Sequence, residues 1–445
     1  MDRLSAQYVA NRMNTAVPWR FPPSRAIRLD NGLTARLVDM PGRFVASVAV
    51  VIHLPTEIEG PQNQGAVAAY TSMMLSDAPH ARSSSVSEVA KIGAVITTGC
   101  DHRGPKVMAD CPVTEVPRLL NALAPMLMRF EPTQQSFEAC RQRLAAERAL
   151  EVHNPSALAN KLFSESVLAP TSRYARPVGG TTQSWQALTA EDIAELYHAY
   201  VGPHQMTVII AGDLGLLDVE AAVRESFGHY PRRECAQVAD EPPRPNGRPR
   251  LMWRAGHGGE QTRLMMGCFA IDRLDTRWPS ARVAAELLGS GADSLVNAEL
   301  RGRLGISYGI DVRFVPYFSG GLFLVAGSVA GTHTAQAIAT IRLVLTRLLE
   351  DGVEPQLFTQ VRNHMAADAA ETYETTLAVT QQQAELASCG IDVSFIDRHL
   401  NEIKALEPTR LEDDFRSLID PRRLDVAVVG QFDPDASELA DMERA

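Results

Sequence analysis

Arg301 and Tyr308 stand seven residues apart in the stretch Glu299-Leu-Arg-Gly-Arg-Leu-Gly-Ile-Ser-Tyr-Gly309. An arginine carries a planar fork of donors that keeps its charge at any working pH. A tyrosine hydroxyl can donate to a peptide carbonyl, or to the oxyanion that develops when that carbonyl is attacked. Read locally, the same pair could be an arginine in a surface ion pair and a tyrosine half in the core. Gly305-Ile-Ser-Tyr-Gly309 also spells the G-x-S-x-G nucleophile turn, which needs a strand before the serine and a helix after it. Here a helical run (281–300) comes first and a strand-like run (310–316) second, which argues against Ser307 as a nucleophile. Gly289-Ser-Gly-Ala-Asp-Ser follows a helix and lacks the lysine of a phosphate cradle, so it reads as a hinge or a cleft wall.

Composition narrows the chemistry further. The 445 residues hold 43 Lys+Arg against 53 Asp+Glu, a formal net charge of -10, which argues against a general nucleic-acid partner. The longest mainly apolar run, 44–54, is strand-length and far short of the roughly 20 residues of a membrane span. The first 25 residues lack the apolar core of a secretory signal, and a cytoplasmic location is the expectation. Six cysteines without C-x-x-C spacing read as small buried hydrophobes in a reducing compartment.

The elements that must position Arg301 and Tyr308 fall into two similar runs. Asp30-Asn31-Gly32 between alternating segments predicts a hairpin, and 45–53 predicts a buried strand. Ala66, Ala69, Tyr70, Met73 and Met74 recur at helical spacing. Ser85 and Glu88 have the spacing of a capping box. Strands at 93–98 and 106–111, helices at 113–129, 134–153, 155–168 and 190–200, and a strand at 206–213 complete the first run. Its ending recurs 218 positions later. Pro203 to Leu214 aligns without a gap to Pro421 to Phe432, and Leu188, Ile193 and Tyr197 match Leu406, Leu411 and Phe415. A repeat in both a helix face and a strand predicts a duplication of two halves of about 200 residues. The expected organisation is an irregular leader (1–24), a first domain (25–231), a proline-rich linker (232–250) and a second domain (251–445). The fold class is α+β: two α/β-sandwich halves, each a mixed, mainly antiparallel sheet with helices on one face, joined in a clam-like arrangement.

Duplicated halves, the Leu-Arg…Tyr pair and the following Ser319-Gly-Gly-Leu-Phe together resemble the pitrilysin/insulinase family of zinc peptidases, most of all its mitochondrial-processing-peptidase branch. The resemblance runs from about Ala26 to Phe432. It implies a His-x-x-Glu-His helix after the third strand, two imidazoles holding zinc and the glutamate activating water. In this chain the matching stretch is Gly65-Ala-Val-Ala-Ala-Tyr-Thr-Ser-Met, so Ala68 and Ser72 stand at the histidine positions and Thr71 at the glutamate. Glu147 stands where the family has its third ligand and Cys140 where it has a supporting glutamate; Glu147 next to Arg148 reads as a surface ion pair. No His-x-x-Glu-His occurs in the sequence, so no metal and no cofactor is expected in this chain. The resemblance therefore implies the zinc-free subunit of a heterodimeric peptidase, or of a dimer of heterodimers. Its partner would be a homologous zinc-bearing subunit and its substrate a peptide inside a closed chamber, with no membrane or nucleic-acid partner. Arg301 and Tyr308 would act in trans at the partner's zinc, and Phe314, Tyr317 and Phe318 could line the peptide cavity. The other reading is a self-pairing structural or peptide-binding module with no peptidase role.

Overall fold

A turn built on Asn31 and Gly32 opens the first sheet. Strands β1 (Arg25–Arg28) and β2 (Thr34–Asp39) pair antiparallel across it. Gly32 sits at φ 92°, where a side chain is strained, and the Asn31 amide donates to the carbonyls of Phe227 and Tyr230 at 2.8 and 2.9 Å. The computed structural model describes residues 19–75, 86–151, 153–237, 241–255, 260–436, 439 and 443–444. The Ser85–Glu88 capping box and residues 1–18 of the expected leader lie outside the described residues.

β3 (Val45–Ile52), β4 (Val95–Asp101), β5 (Gly104–Pro112) and β6 (Met206–Gly212) complete a six-stranded sheet in the order β1-β2-β6-β3-β5-β4. The second sheet repeats the plan. Its strands are β7 (Arg250–Arg254), β8 (Gln261–Ala270), β9 (Ser307–Pro316), β10 (Gly321–Ala330), β11 (Asp425–Val429) and β12 (Glu443–Arg444), in the order β12-β7-β11-β8-β10-β9. The first sheet has one parallel pair, β2 with β6, and the second has two, β7 with β11 and β7 with β12; the other pairings are antiparallel. The equivalence of β6 and β11 is the one the repeat predicts.

Each sheet carries helices of its own half on one face. In the first half these include α1 (Ala66–Met73), α2 (Gln134–Glu151) and α4 (Ala190–Tyr200). Between α2 and α4 in the chain lies α3 (Pro155–Val167), which behaves differently. Its Leu162, Phe163 and Val167 pack on the second sheet, against Met265, Leu324 and Ala427. In return α6 (Thr376–Ser388), which follows α5 (Trp278–Gly289) in the second half, packs Ala384 and Ala387 on Ala49, Val51 and Ile209 of the first sheet. The expectation of helices on one face therefore describes each half by itself, while a crossing helix from the other half covers the second face. This double covering explains why β3 and β6 are apolar almost without alternation. The part of the expected leader that is described packs too. Phe21 is buried, donates its N–H to Asp397 Oδ1 at 2.9 Å and meets Tyr373 edge-on.

Candidate active-site remnant

Arg301 and Tyr308 sit on the two irregular turns of their half. After α5 the chain makes a short turn and then a π-helical segment, Ala298–Arg303, in which Leu304 N–H reaches the Glu299 carbonyl at 2.9 Å. One wide turn of this kind rotates a side chain away from the register a continuous helix would give it. Arg301 is exposed and takes no hydrogen bond or ion pair among the described residues. Its neighbours differ: Arg303 and Arg347 both pair with Glu299, at 2.5 and 3.4 Å. Tyr308 lies in the second irregularity. The β9–β10 register matches Gly309 with Ser328 and Ser307 with Val329, so Tyr308 is the extra residue of a β-bulge. It is 83% exposed. The reading of a tyrosine half in the core fails here, and so does that of a paired surface arginine.

A buried asparagine ties these turns together, and nothing in its sequence surroundings marks it. The Asn297 side chain accepts the Ile310 N–H at 2.7 Å and donates to the Ile310 and Gly291 carbonyls at 3.0 and 2.9 Å. It fixes the glycine turn at one end and the start of β9 at the other. Gly289 closes the approach: a Cβ there would lie 2.3 Å from the Val312 nitrogen, so α5 can touch β9 only with no side chain at this point. Gly289 and Ser294 are buried, while residues 290–293 between them are exposed, so the stretch is a surface turn pinned at both ends.

The aromatic residues following Tyr308 separate. Phe314 is 3% exposed and packs on Phe323 in the second core, out of reach of a peptide. Alternation along β9 turns it inward, and its face follows from that period. Tyr317 packs on Tyr174 at 4.9 Å, and the Arg103 guanidinium lies over the Phe318 ring at 4.2 Å. Both belong to the seam between the halves.

At the other end of the problem stands α1. Its first turn is anchored by a charge pair buried on both sides: Glu59 accepts the Val67 N–H at 2.9 Å and the Arg173 Nη2 at 2.5 Å. Arg173 spends its remaining donors on the carbonyls of Arg176, Pro177 and Val178. Burial still lifts the Glu59 carboxyl above the usual carboxylate range, against the pull of Arg173. Further along α1, Ala68 offers no donor atom, and the Thr71 hydroxyl donates to the Val67 carbonyl at 2.7 Å. The Ser72 hydroxyl receives the Cys140 thiol at 3.4 Å and the Arg143 guanidinium. Arg143 also pairs with Glu147 at 2.7 Å, so the partner of Glu147 is Arg143 one turn back on α2, and not Arg148. Residues four apart share a helix face while adjacent ones do not. The residues present do not fit a zinc ion: a methyl group, two engaged hydroxyls and a neutralised carboxylate make no ligand set. Among the described residues no group of three or more His, Cys, Asp or Glu is placed to hold a metal.

Residues 187–365 match the family model described as "Peptidase M16 inactive domain". An uncharacterized zinc protease of Streptomyces coelicolor is 23% identical over 335 residues, 74% of this chain and 72% of the relative. The chain is similar to the M16 peptidases, the pitrilysin/insulinase family, over residues 187–365 by the family model and over about three quarters of its length by this zinc-protease relative. Two solved structures share its fold. The peptidase M16 inactive domain from Pseudomonas fluorescens superposes with TM-score 0.82 at 16% identity, covering 92% of this chain and 98% of its own. A chain of Complex III2 from Candida albicans gives 0.76 at 14%, covering 92% and 96%. Ala68, Thr71 and Ser72 supply no zinc-ligand set, and the inactive-domain match together with the zinc-protease relatives supports a non-catalytic member of the M16 family. No described helix is long and apolar enough to cross a membrane.

Proposed function

We propose that this M16 chain is the zinc-free subunit of a heterodimeric, cytoplasmic zinc metallopeptidase, with 25–231 and 251–445 as its two peptidase-like domains. A homologous zinc-bearing subunit supplies the metal, and the two subunits close a chamber around a peptide. Arg301 holds the substrate, and the Tyr308 hydroxyl donates to the oxyanion at the partner's zinc. One observation carries the reading. In a chain whose α1 carries no metal-ligand set, Arg301 and Tyr308 are projected outward from a π turn and a β-bulge, and neither has a polar side-chain partner among the described residues. Exposed donors that serve no contact of the fold fit donors kept for a ligand. Donors aimed at a developing charge need not share a polypeptide with the metal.

The test reconstitutes the chain with a His-x-x-Glu-His partner and measures kcat/KM for a peptide. Removing one oxyanion donor costs on the order of 10²–10³ in rate, so Tyr308→Phe and Arg301→Ala should each fall by that order. Turnover unchanged in both variants overturns the assignment. The second reading, a self-pairing structural or peptide-binding module with no peptidase role, draws on the likeness to a chain of Complex III2 from Candida albicans. It predicts a stable homodimer in sedimentation and no affinity for any zinc-bearing relative.

A further inference from the structure

The corner between α1 and α2 holds a positive charge where the family resemblance implies histidines. Arg143 projects from α2 and places its guanidinium between Ser72 on α1 and Glu147 one turn further along α2. Those are two of the positions at which the family resemblance puts metal ligands. The third hydrogen bond of the corner, from the Cys140 thiol to Ser72 at 3.4 Å, approaches the same hydroxyl. Among the described residues Arg143 makes no other hydrogen bond or ion pair, and Glu147 has no other charged partner. We propose that the Arg143 guanidinium is the resident cation of this corner, a positioning group that bridges α1 to α2 and closes the corner to divalent metal.

The physics follows from charge and from geometry. A guanidinium is a fixed cation that never deprotonates in a protein, so it neutralises Glu147 at every pH at which the carboxylate is ionised. Its planar fork can serve two acceptors on different helices at once, which the point charge of a lysine does less well. A divalent ion entering here would meet an adjacent positive charge and a carboxylate already engaged. New imidazoles at 68 and 72 would therefore not suffice to recover metal binding. The guanidinium must leave as well.

The experiment uses the full chain alone and reads metal binding, so it is independent of any partner subunit or peptidase activity. Ala68→His/Ser72→His is compared with the same pair carrying Arg143→Gln, each titrated with zinc and with cobalt, whose visible spectrum reports coordination. Both residues at 68 and 72 are half-buried, so the imidazoles do not enter the core. Should the double variant fail to fold by circular dichroism, Ser72→His alone, with and without Arg143→Gln, carries the comparison. The expected result is an affinity at least 100-fold higher once Arg143 is replaced, with Arg143→Lys falling between. Equal affinity with and without Arg143 overturns the proposal, and so does the absence of binding in both.

Discussion

Arg173 is the side chain on which the N-terminal turn of α1 rests. It is buried with Glu59 and shares its donors between that carboxylate and three carbonyls. Removing one partner of such a pair leaves an uncompensated charge and costs about 3–5 kcal/mol, whereas replacing both by apolar groups is close to neutral. Arg173→Met should thus lower unfolding stability by about that much, and Glu59→Leu/Arg173→Met by clearly less, as urea unfolding will read. His102 makes a second prediction. It lies against Tyr174 and meets the Thr56 hydroxyl at 2.9 Å, and burial pushes its imidazole down to about 3. The unfolded chain protonates this group below about pH 6.5 while the folded chain does not, so stability falls as pH drops from there toward 3. At pH 5 the loss is about 2 kcal/mol. His102→Gln should flatten the acid limb of stability against pH; a limb of unchanged slope would assign the acid sensitivity elsewhere. Neither residue is legible from sequence, because a lone arginine or histidine in a loop carries no period, and its burial depends on segments far along the chain.

At the scale of elements, the regular pieces were readable and the irregular ones were not. Asn-Gly marks the β1–β2 turn because few other residues accept its backbone, and the Ala66–Met74 spacing marks α1 because a buried stripe repeats every turn. The helical run expected over 281–300 breaks at Gly289, continues as a π turn and ends in a bulge at Tyr308. Nothing in a hydrophobic period encodes an extra residue in a ladder. What holds this junction is Asn297, whose amide meets both the N–H and the carbonyl of Ile310. Asn297→Ala leaves those buried backbone groups unsatisfied and should cost about 1–3 kcal/mol. The same substitution should make the β9 amides near Ile310 exchange faster while β3 stays protected, a contrast that hydrogen exchange resolves. Uniform loss across both sheets would mean that Asn297 supports the fold in general and not this junction.

At the scale of the molecule, the two crossing helices are alike in topology and differ in how much apolar surface they pack. Which sheet a helix covers is a long-range choice, and the 218-residue repeat predicts two equal halves without predicting their exchange of helices. The α3 seam on the second sheet is mainly apolar, built on Phe163, Leu162, Leu322 and Leu324, with one buried polar contact in which the Ser166 hydroxyl donates to Asp425. The α6 seam on the first sheet is narrow and polar. Thr376 meets Ser47 at 3.0 Å, and Ser47 donates to Asp110 at 2.5 Å. Gln383, with no exposed surface, has no hydrogen-bond partner for either end of its amide among the described residues. An unpaired buried amide costs about 1–3 kcal/mol, and small side chains such as Ala384 and Ala387 return little dispersion. The α6 seam is therefore the weaker of the two, and any parting of the halves begins there. Phe163→Ala should cost about 3–5 kcal/mol, while Gln383→Leu should be neutral or stabilising. Hydrogen exchange should protect α3 longer than α6 in the unaltered chain, and Gln383→Leu should narrow that difference. If α6 proves the better protected helix, the asymmetry read from these two seams is wrong.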